Sequence, residues 1–219
     1  MFVEISGLLF LLIIVILMLA TGKFDYEIFS ELDANAKLLK VHENPKKFRN
    51  GIQLVIFEHI IIVSLAITMF LAFGSFSLIL GSVWLIARSV EGLMQINSKR
   101  KFLTMTNTAE QYSSASESEK EVLRGQALSL LEAKNSIFTS AQLLFSAGTF
   151  AYSLAFVLYD LVPIYLGWFG IIASIIYGLG NAIYRMKPEF KAAWDVGGLL
   201  IWIFELILGG WLLFYSLFA

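Results

Sequence analysis

Six stretches of the 219-residue chain are long, apolar and almost free of charge, covering residues 2–20, 52–73, 76–96, 137–159, 163–184 and 196–218. A helix rises 1.5 Å per residue, so about 20 apolar residues match the roughly 30 Å of hydrocarbon in a bilayer. None of the stretches alternates with period two, and each is about twice the length of a barrel strand, which argues against a transmembrane β-barrel. Within lipid the backbone has to satisfy its own polar groups, so runs of this kind are helices. The expected fold is all-α: a polytopic integral membrane protein built as a six-helix transmembrane bundle, one membrane domain over residues 1–219.

The remaining composition agrees. With 58% apolar and 15% charged residues the chain is neither an ordinary soluble enzyme nor disordered. A net charge of −1 without a basic domain leaves no footprint for nucleic acid, and the absence of cysteine removes disulfides, thiolate metal sites and a cysteine nucleophile. The first stretch has no basic start, and Met18-Leu19-Ala20-Thr21-Gly22 is a poor cleavage site, so it reads as a retained span and not a signal peptide.

Basic residues give the expected threading. Segments 21–50, 97–136 and 185–195 fall on one side of a six-span chain and hold fifteen of the sixteen Lys and Arg residues; the other, Arg88, lies inside a span. The opposite side carries only Glu4 and Asp160. The positive-inside rule then places the three segments in the cytoplasm of a multi-pass cell-membrane protein, with both termini outside. In residues 25–41, Ile28, Leu32, Ala36 and Leu39 recur at helical spacing among charged residues, which predicts an amphipathic helix ended by Asn44-Pro45, lying on the lipid surface, the bundle or another subunit. Ser114-Ala115-Ser116-Glu117 and Ser118-Glu119-Lys120-Glu121 both read as capping boxes. They predict a helix running into the fourth span, with the turn of a short cytoplasmic helical hairpin at 104–113.

Ionisable residues inside spans cost about 2.5–3.5 kcal/mol each at the bilayer centre. Here they are Glu58 and His59 in span two, Arg88 and Glu91 in span three and Glu205 in span six, with Gln142 in span four as an uncharged companion. Counting from the cytoplasmic ends sets Arg88 level with Glu205, each ten residues in, and puts Glu58, Glu91 and Gln142 seven residues in. One arginine against three carboxylates implies a protonated carboxyl or a missing cation. His59 is the weakest member, because neighbouring residues diverge by about 100° around a helix.

There is no H-E-x-x-H, G-x-S-x-G or P-loop motif, and no lysine inside a predicted span. An enzyme is thus the less favoured class, and cofactor and metal are left open; a carboxylate metal site from Glu58, Glu91, Glu205 and His59 lacks the usual Glu-x-x-His spacing. Span five carries Gly170, Ser174, Gly178 and Ala182 four apart, a stripe expected to pack on Ala147, Ala151 and Ala155 of span four. Trp168, Tyr184, Trp194, Trp211 and Tyr215 near span ends read as interfacial anchors.

Three stretches in order, Arg88-Ser89-Val90-Glu91-Gly92, Leu161-Val162-Pro163-Ile164-Tyr165-Leu166-Gly167-Trp168-Phe169-Gly170 and Phe204-Glu205-Leu206-Ile207-Leu208-Gly209-Gly210-Trp211-Leu212-Leu213, resemble the prokaryotic membrane proteins grouped as domain of unknown function 4386. The resemblance runs from about Gly51 to the C-terminus. It implies six spans and marks Arg88, Glu91 and Glu205 as characteristic polar positions, and supplies no activity. Tyr159-Asp160 stands where that family would have basic residues, so orientation is taken from this chain's own charges. Two functional readings follow: a transporter-like or ion- or small-molecule-binding membrane protein using the Arg/Glu cluster, or an accessory or scaffold subunit of a larger membrane complex with the charges as interhelical glue.

Overall fold

The computed structural model describes residues 1–215, which form α1 (Phe2–Phe24), α2 (Ala34–Glu43), α3 (Pro45–Phe73), α4 (Leu78–Phe102), α5 (Met105–Ser114), α6 (Glu117–Leu158), α7 (Ile164–Met186) and α8 (Lys191–Leu213), with a 3₁₀ turn before α8. The six helices α1, α3, α4, α6, α7 and α8 are long and apolar enough to cross a membrane, and no strand occurs among the described residues. The end of the predicted sixth span, 216–218, lies outside the described residues. The chain's three prolines all stand at helix boundaries: Pro45 is the first residue of α3, Pro163 precedes α7 and Pro188 opens the 3₁₀ turn. Proline is tolerated there because a first-turn N–H needs no intrahelical acceptor. Asp160, at φ 51°, closes α6 in the left-handed region, and the Leu161 N–H reaches back to the Phe156 carbonyl at 3.1 Å.

Several helices run past the expected spans. α3 begins at Pro45, α4 continues to Phe102, and α6 has 42 residues, about 63 Å at the helical rise. Hydropathy locates the apolar part of a helix, whereas its end is set by caps. The cap of α6 is Ser116, whose N–H and hydroxyl (2.8 and 2.6 Å) both bond Glu119; neither of the two expected boxes is used. The hairpin therefore turns at Ala115–Ser116, and the segment 104–113, expected as the turn, is taken up almost wholly by α5. The amphipathic helix is also shorter than the predicted 25–41. Asp33 caps its start by accepting from the Ala36 N–H at 3.0 Å, and residues 25–33 are irregular.

The chain divides into two compact units. The first comprises Met1–Val15, Ile60–Leu93 and the chain from Thr139 onward. Within it the Ser6 hydroxyl bonds Thr68 at 3.0 Å, and the Trp84 indole N–H donates to the Ala66 carbonyl at 3.2 Å. Gly7 and Gly209 bring α1 and α8 together, since a Cβ on Gly209 would stand 2.9 Å from Phe10 Cβ. Of the α7 glycines, Gly170 meets α6 at Ser153 and Gly178 at Ser146; of the alanines expected opposite the stripe, Ala151 and Ala155 are buried and Ala147 is exposed. One residue along a helix turns a side chain by about 100°, which separates the serine face from Ala147.

The second unit comprises Ile16–His59 and Met94–Phe138. Its core gathers Leu38 and Val41 of α2, Ile52 and Val55 of α3, Phe102 of α4, Met105 and Ala109 of α5, and Ala127 and Leu131 of α6. Tyr112 ties the hairpin to α2 by donating to Asn35 at 2.7 Å, and it accepts from Arg124 Nε at 2.9 Å.

Candidate functional site

In the first unit Arg88 is 1% exposed and Glu91 2%. The Arg88 Nη1 donates to the Glu91 carboxylate at 2.8 Å, a pair three residues apart on α4 that by itself joins no two helices. The guanidinium carbon lies 4.3 Å from the Phe145 ring centroid and 5.4 Å from that of Trp84, where the aromatic faces attract a cation. Trp84 in turn meets Tyr152 edge-on at 4.4 Å. Gly148 makes room for the arginine stem: a Cβ there would sit 3.1 Å from Arg88 Cγ and 3.3 Å from Cδ.

Gln142 is buried on α6 and accepts from the Tyr177 hydroxyl of α7 at 2.8 Å. Tyr177 is in electrostatic reach of Glu91, Glu205 and Arg88, and Tyr152 of Glu205 and Arg88. Four of the six residues expected from the sequence, Arg88, Glu91, Gln142 and the half-buried Glu205, thus lie in one unit, Gln142 in contact with Tyr177 and the three charges in electrostatic reach of it. Next to them Asn181 donates to the Thr139 carbonyl at 2.7 Å.

Glu58 and His59 belong to the second unit. Both are buried, and His59 Nδ1 lies 2.7 Å from both the Glu58 carboxylate and the Val55 carbonyl. The expected divergence of these neighbours is overcome by the length of the glutamate. Among the described residues no three His, Asp or Glu side chains form a metal-ligand group.

The second unit also holds polar groups that the sequence reading assigned to cytoplasmic segments. Lys134 and Lys99 are each 1% exposed. Lys134 donates to the Glu27 carbonyl (2.7 Å), the Ile28 carbonyl (3.0 Å) and the Ser30 hydroxyl (2.8 Å), above the rings of Tyr26 and Phe102. Asn135 closes the same segment by exchanging two bonds with Ser30. These side chains supply the donors that a helix over 25–33 would have provided, which is why the segment can be buried and irregular. Lys99 bonds Gln95 and faces Tyr26. Burial pushes the Tyr26 phenol well above its usual range, with Glu58 and Glu27 adding to the shift. Glu27 itself is held below the ordinary carboxylate range: burial raises it, but bonds to Lys37 (2.8 Å) and Lys40 (3.0 Å) outweigh burial.

A signal for the missed residues was present. Arg88, Glu91, Gln95 and Lys99 recur at intervals of three, four and four, which puts them on one face of α4. All four are buried.

Six membrane-length helices around buried charge define a multi-pass integral membrane protein with a polar interior. The chain belongs to the family described as domain of unknown function (DUF4386), whose model matches residues 5–215 and so includes α1 as well as the region of resemblance. No curated protein and no solved structure matches it.

Proposed function

We propose that the polar layer of the first unit, Arg88, Glu91, Gln142, Tyr177 and Glu205, binds an ion or a small polar molecule within the membrane, as a transporter's site does. The observation that carries this reading is the buried Arg88–Glu91 pair, 1% and 2% exposed, which lies within a single membrane-length helix beside the buried Gln142–Tyr177 contact. An ion pair within one helix is not itself a tie between helices, and an intramembrane ionisable group is costly enough to imply use. Thermal-shift measurements on the detergent-purified protein, across inorganic ions and small polar solutes, test the reading. A ligand should raise the melting temperature, and Gln142→Ala or Tyr177→Phe should remove that shift while the unliganded protein keeps its helical spectrum. No stabilising solute, together with a stoichiometric subunit retained on gentle solubilisation, would favour the accessory-subunit reading instead. The interhelical bonds Tyr177–Gln142 and Asn181–Thr139 support that second reading.

The threading belongs to the same proposal, with both termini outside and the α5–α6 hairpin in the cytoplasm. A reporter active only in the cytoplasm, fused after Ala219, should be silent; activity there refutes the assignment.

A further inference from the structure

We propose that the second unit binds one acidic phospholipid where α1 ends against the start of α3, with the lipid phosphate held by Lys23, Lys46 and Arg49 and an acyl chain lying along α3. This site is independent of the polar layer in the first unit.

The first observation is charge placed at one depth. Lys23 follows Ala20, the last residue of the first apolar run, by three positions; Arg49 and Lys46 precede Ile52, which opens the second run, by three and six. At the helical rise those offsets are about 4.5, 4.5 and 9 Å. A bilayer of about 40–45 Å with about 30 Å of hydrocarbon leaves roughly 5–7 Å of headgroup on each side. Lys23 and Arg49 are thus level with the lipid phosphates, and the flexible stem of Lys46 spans the remaining distance. All three are exposed, and none makes a hydrogen bond or an ion pair among the described residues.

The fold gathers them. Phe24, next to Lys23, packs on α3: a Cβ on Gly51 would stand 3.1 Å from Phe24 Cβ and 3.3 Å from its carbonyl oxygen. The chain then turns through Asp25, at φ 52°, whose carboxylate pairs with Lys47 at 2.5 Å. That pair neutralises the acid of the rim. Glu43, an exposed carboxylate at the end of α2, offsets one of the three remaining cations and leaves the rim positive. A Cβ on Gly22 would meet nothing within 4 Å, so the surface beside Lys23 is open to a headgroup.

The second observation is the course of the exposed face of α3. Lys46, Arg49, Gln53 and Phe57 follow at intervals of three, four and four, and all are exposed, Phe57 by 52%. Ile52 and Val55, on the other face, belong to the core of the unit. From the rim inward the exposed face therefore runs cation, cation, amide, aromatic, which matches the phosphate, ester and acyl chain of a phospholipid in order. α1 repeats the pattern, with Lys23 beyond the exposed Met18 and Leu19. Cations without counter-ions favour an acidic lipid, because a zwitterionic headgroup brings its own ammonium to its phosphate. The apolar surface next to them favours a lipid over free phosphate.

Native mass spectrometry of the detergent-solubilised protein, titrated with phosphatidylglycerol and with phosphatidylcholine of the same acyl chains, tests the site. One phosphatidylglycerol should be retained at least tenfold more tightly than phosphatidylcholine. A basic residue near a membrane surface strengthens binding to acidic lipid about fivefold. Lys23→Gln and Arg49→Gln should therefore each weaken phosphatidylglycerol about fivefold and leave phosphatidylcholine unchanged, while Arg49→Lys, which keeps the charge, should retain most of the affinity. Lys120→Gln removes the same charge about 25 Å before the fourth apolar run, far from the headgroups, and should change neither lipid. The proposal is overturned if the two lipids bind alike, or if Lys120→Gln weakens phosphatidylglycerol as much as Arg49→Gln does, as diffuse attraction between charges would. It is also overturned if glycerol phosphate, the same headgroup chemistry without acyl chains, displaces the lipid at equal concentration.

Discussion

Replacing Lys134 by Met keeps the aliphatic stem over Tyr26 and Phe102 and removes only the ammonium head. That head makes three bonds, at 2.7, 3.0 and 2.8 Å, and is 1% exposed. A bond to a charged group contributes about 1.5–3 kcal/mol, and a cation over an aromatic face about 1 kcal/mol more. Desolvating an ammonium offsets several kcal/mol of that gain, so the gross sum overstates the loss. The variant is freed of the desolvation cost but leaves two backbone carbonyls and the Ser30 hydroxyl short of a donor. The Ser30 hydroxyl can rotate, whereas the carbonyls cannot, and two dry carbonyls at about 1–2 kcal/mol each give a net loss of about 3 kcal/mol. For a chain of this size that is a fall of about 6–12 °C in melting temperature, read by circular dichroism in detergent. Hydrogen exchange should rise first in peptides covering residues 26–30, the segment that Lys134 holds. Lys101→Met, at an exposed position of α4, is the control. If the two variants melt within about 1 °C of each other, or if exchange rises no more at 26–30 than elsewhere, then Lys134 does not hold the segment and the reasoning fails.

Arg88→Ala should cost about 3–5 kcal/mol by stripping Glu91 of its buried partner, while Glu205→Gln, which removes a charge and keeps an acceptor, should cost under about 1 kcal/mol; melting curves of the two compare them. Gly170→Ala should destabilise by about 1–3 kcal/mol because the new methyl meets Ser153 Oγ and the Phe204 ring, whereas Gly125→Ala, whose Cβ would find open space, should stabilise α6 by up to about 1 kcal/mol. Glu27, held below the ordinary carboxylate range, contributes stability that is complete above its unfolded value and is lost as the pH falls through its folded value. Acidification below about pH 4 should therefore speed exchange in residues 25–43 before the spans respond, and Glu27→Gln should abolish that step.

The spans were legible because hydropathy measures the one quantity that decides membrane insertion, and each of the six predicted runs, over its described residues, falls largely on one of the long helices. Helix ends were not legible from the same signal. α6 begins at Ser116 because that serine and Glu119 satisfy each other, and three overlapping Ser/Glu spacings in 114–121 offered the same chemistry. The irregular course of 25–33 could not be read from its own residues at all, since its periodicity suits a helix. What releases it from helix formation is Lys134 and Asn135, more than a hundred residues away in sequence.

The polar interior was half legible for a related reason. Charged residues stand out inside apolar runs, so Arg88, Glu91 and Glu205 were evident, while Ser and Thr are nearly neutral on any hydropathy scale, and the buried row Thr139, Ser146, Thr149 and Ser153 leaves the run of α6 looking apolar. Its trace is the seven-residue repeat on α6, which hydropathy averages away. Lys99 and Lys134 show the opposite failure: they lie outside the apolar runs, in a segment expected in the cytoplasm, and yet both are buried. Their positions still count toward threading, because a lysine at the end of an apolar run resists translocation whether or not it later folds inward. The fifteen-to-none asymmetry is therefore a ground for the proposed threading even though three of its members, Lys37, Lys99 and Lys134, are buried in the folded protein. On the proposed threading the same charges act twice, first to orient the chain during insertion and then, through Lys134, to hold the irregular segment 25–33.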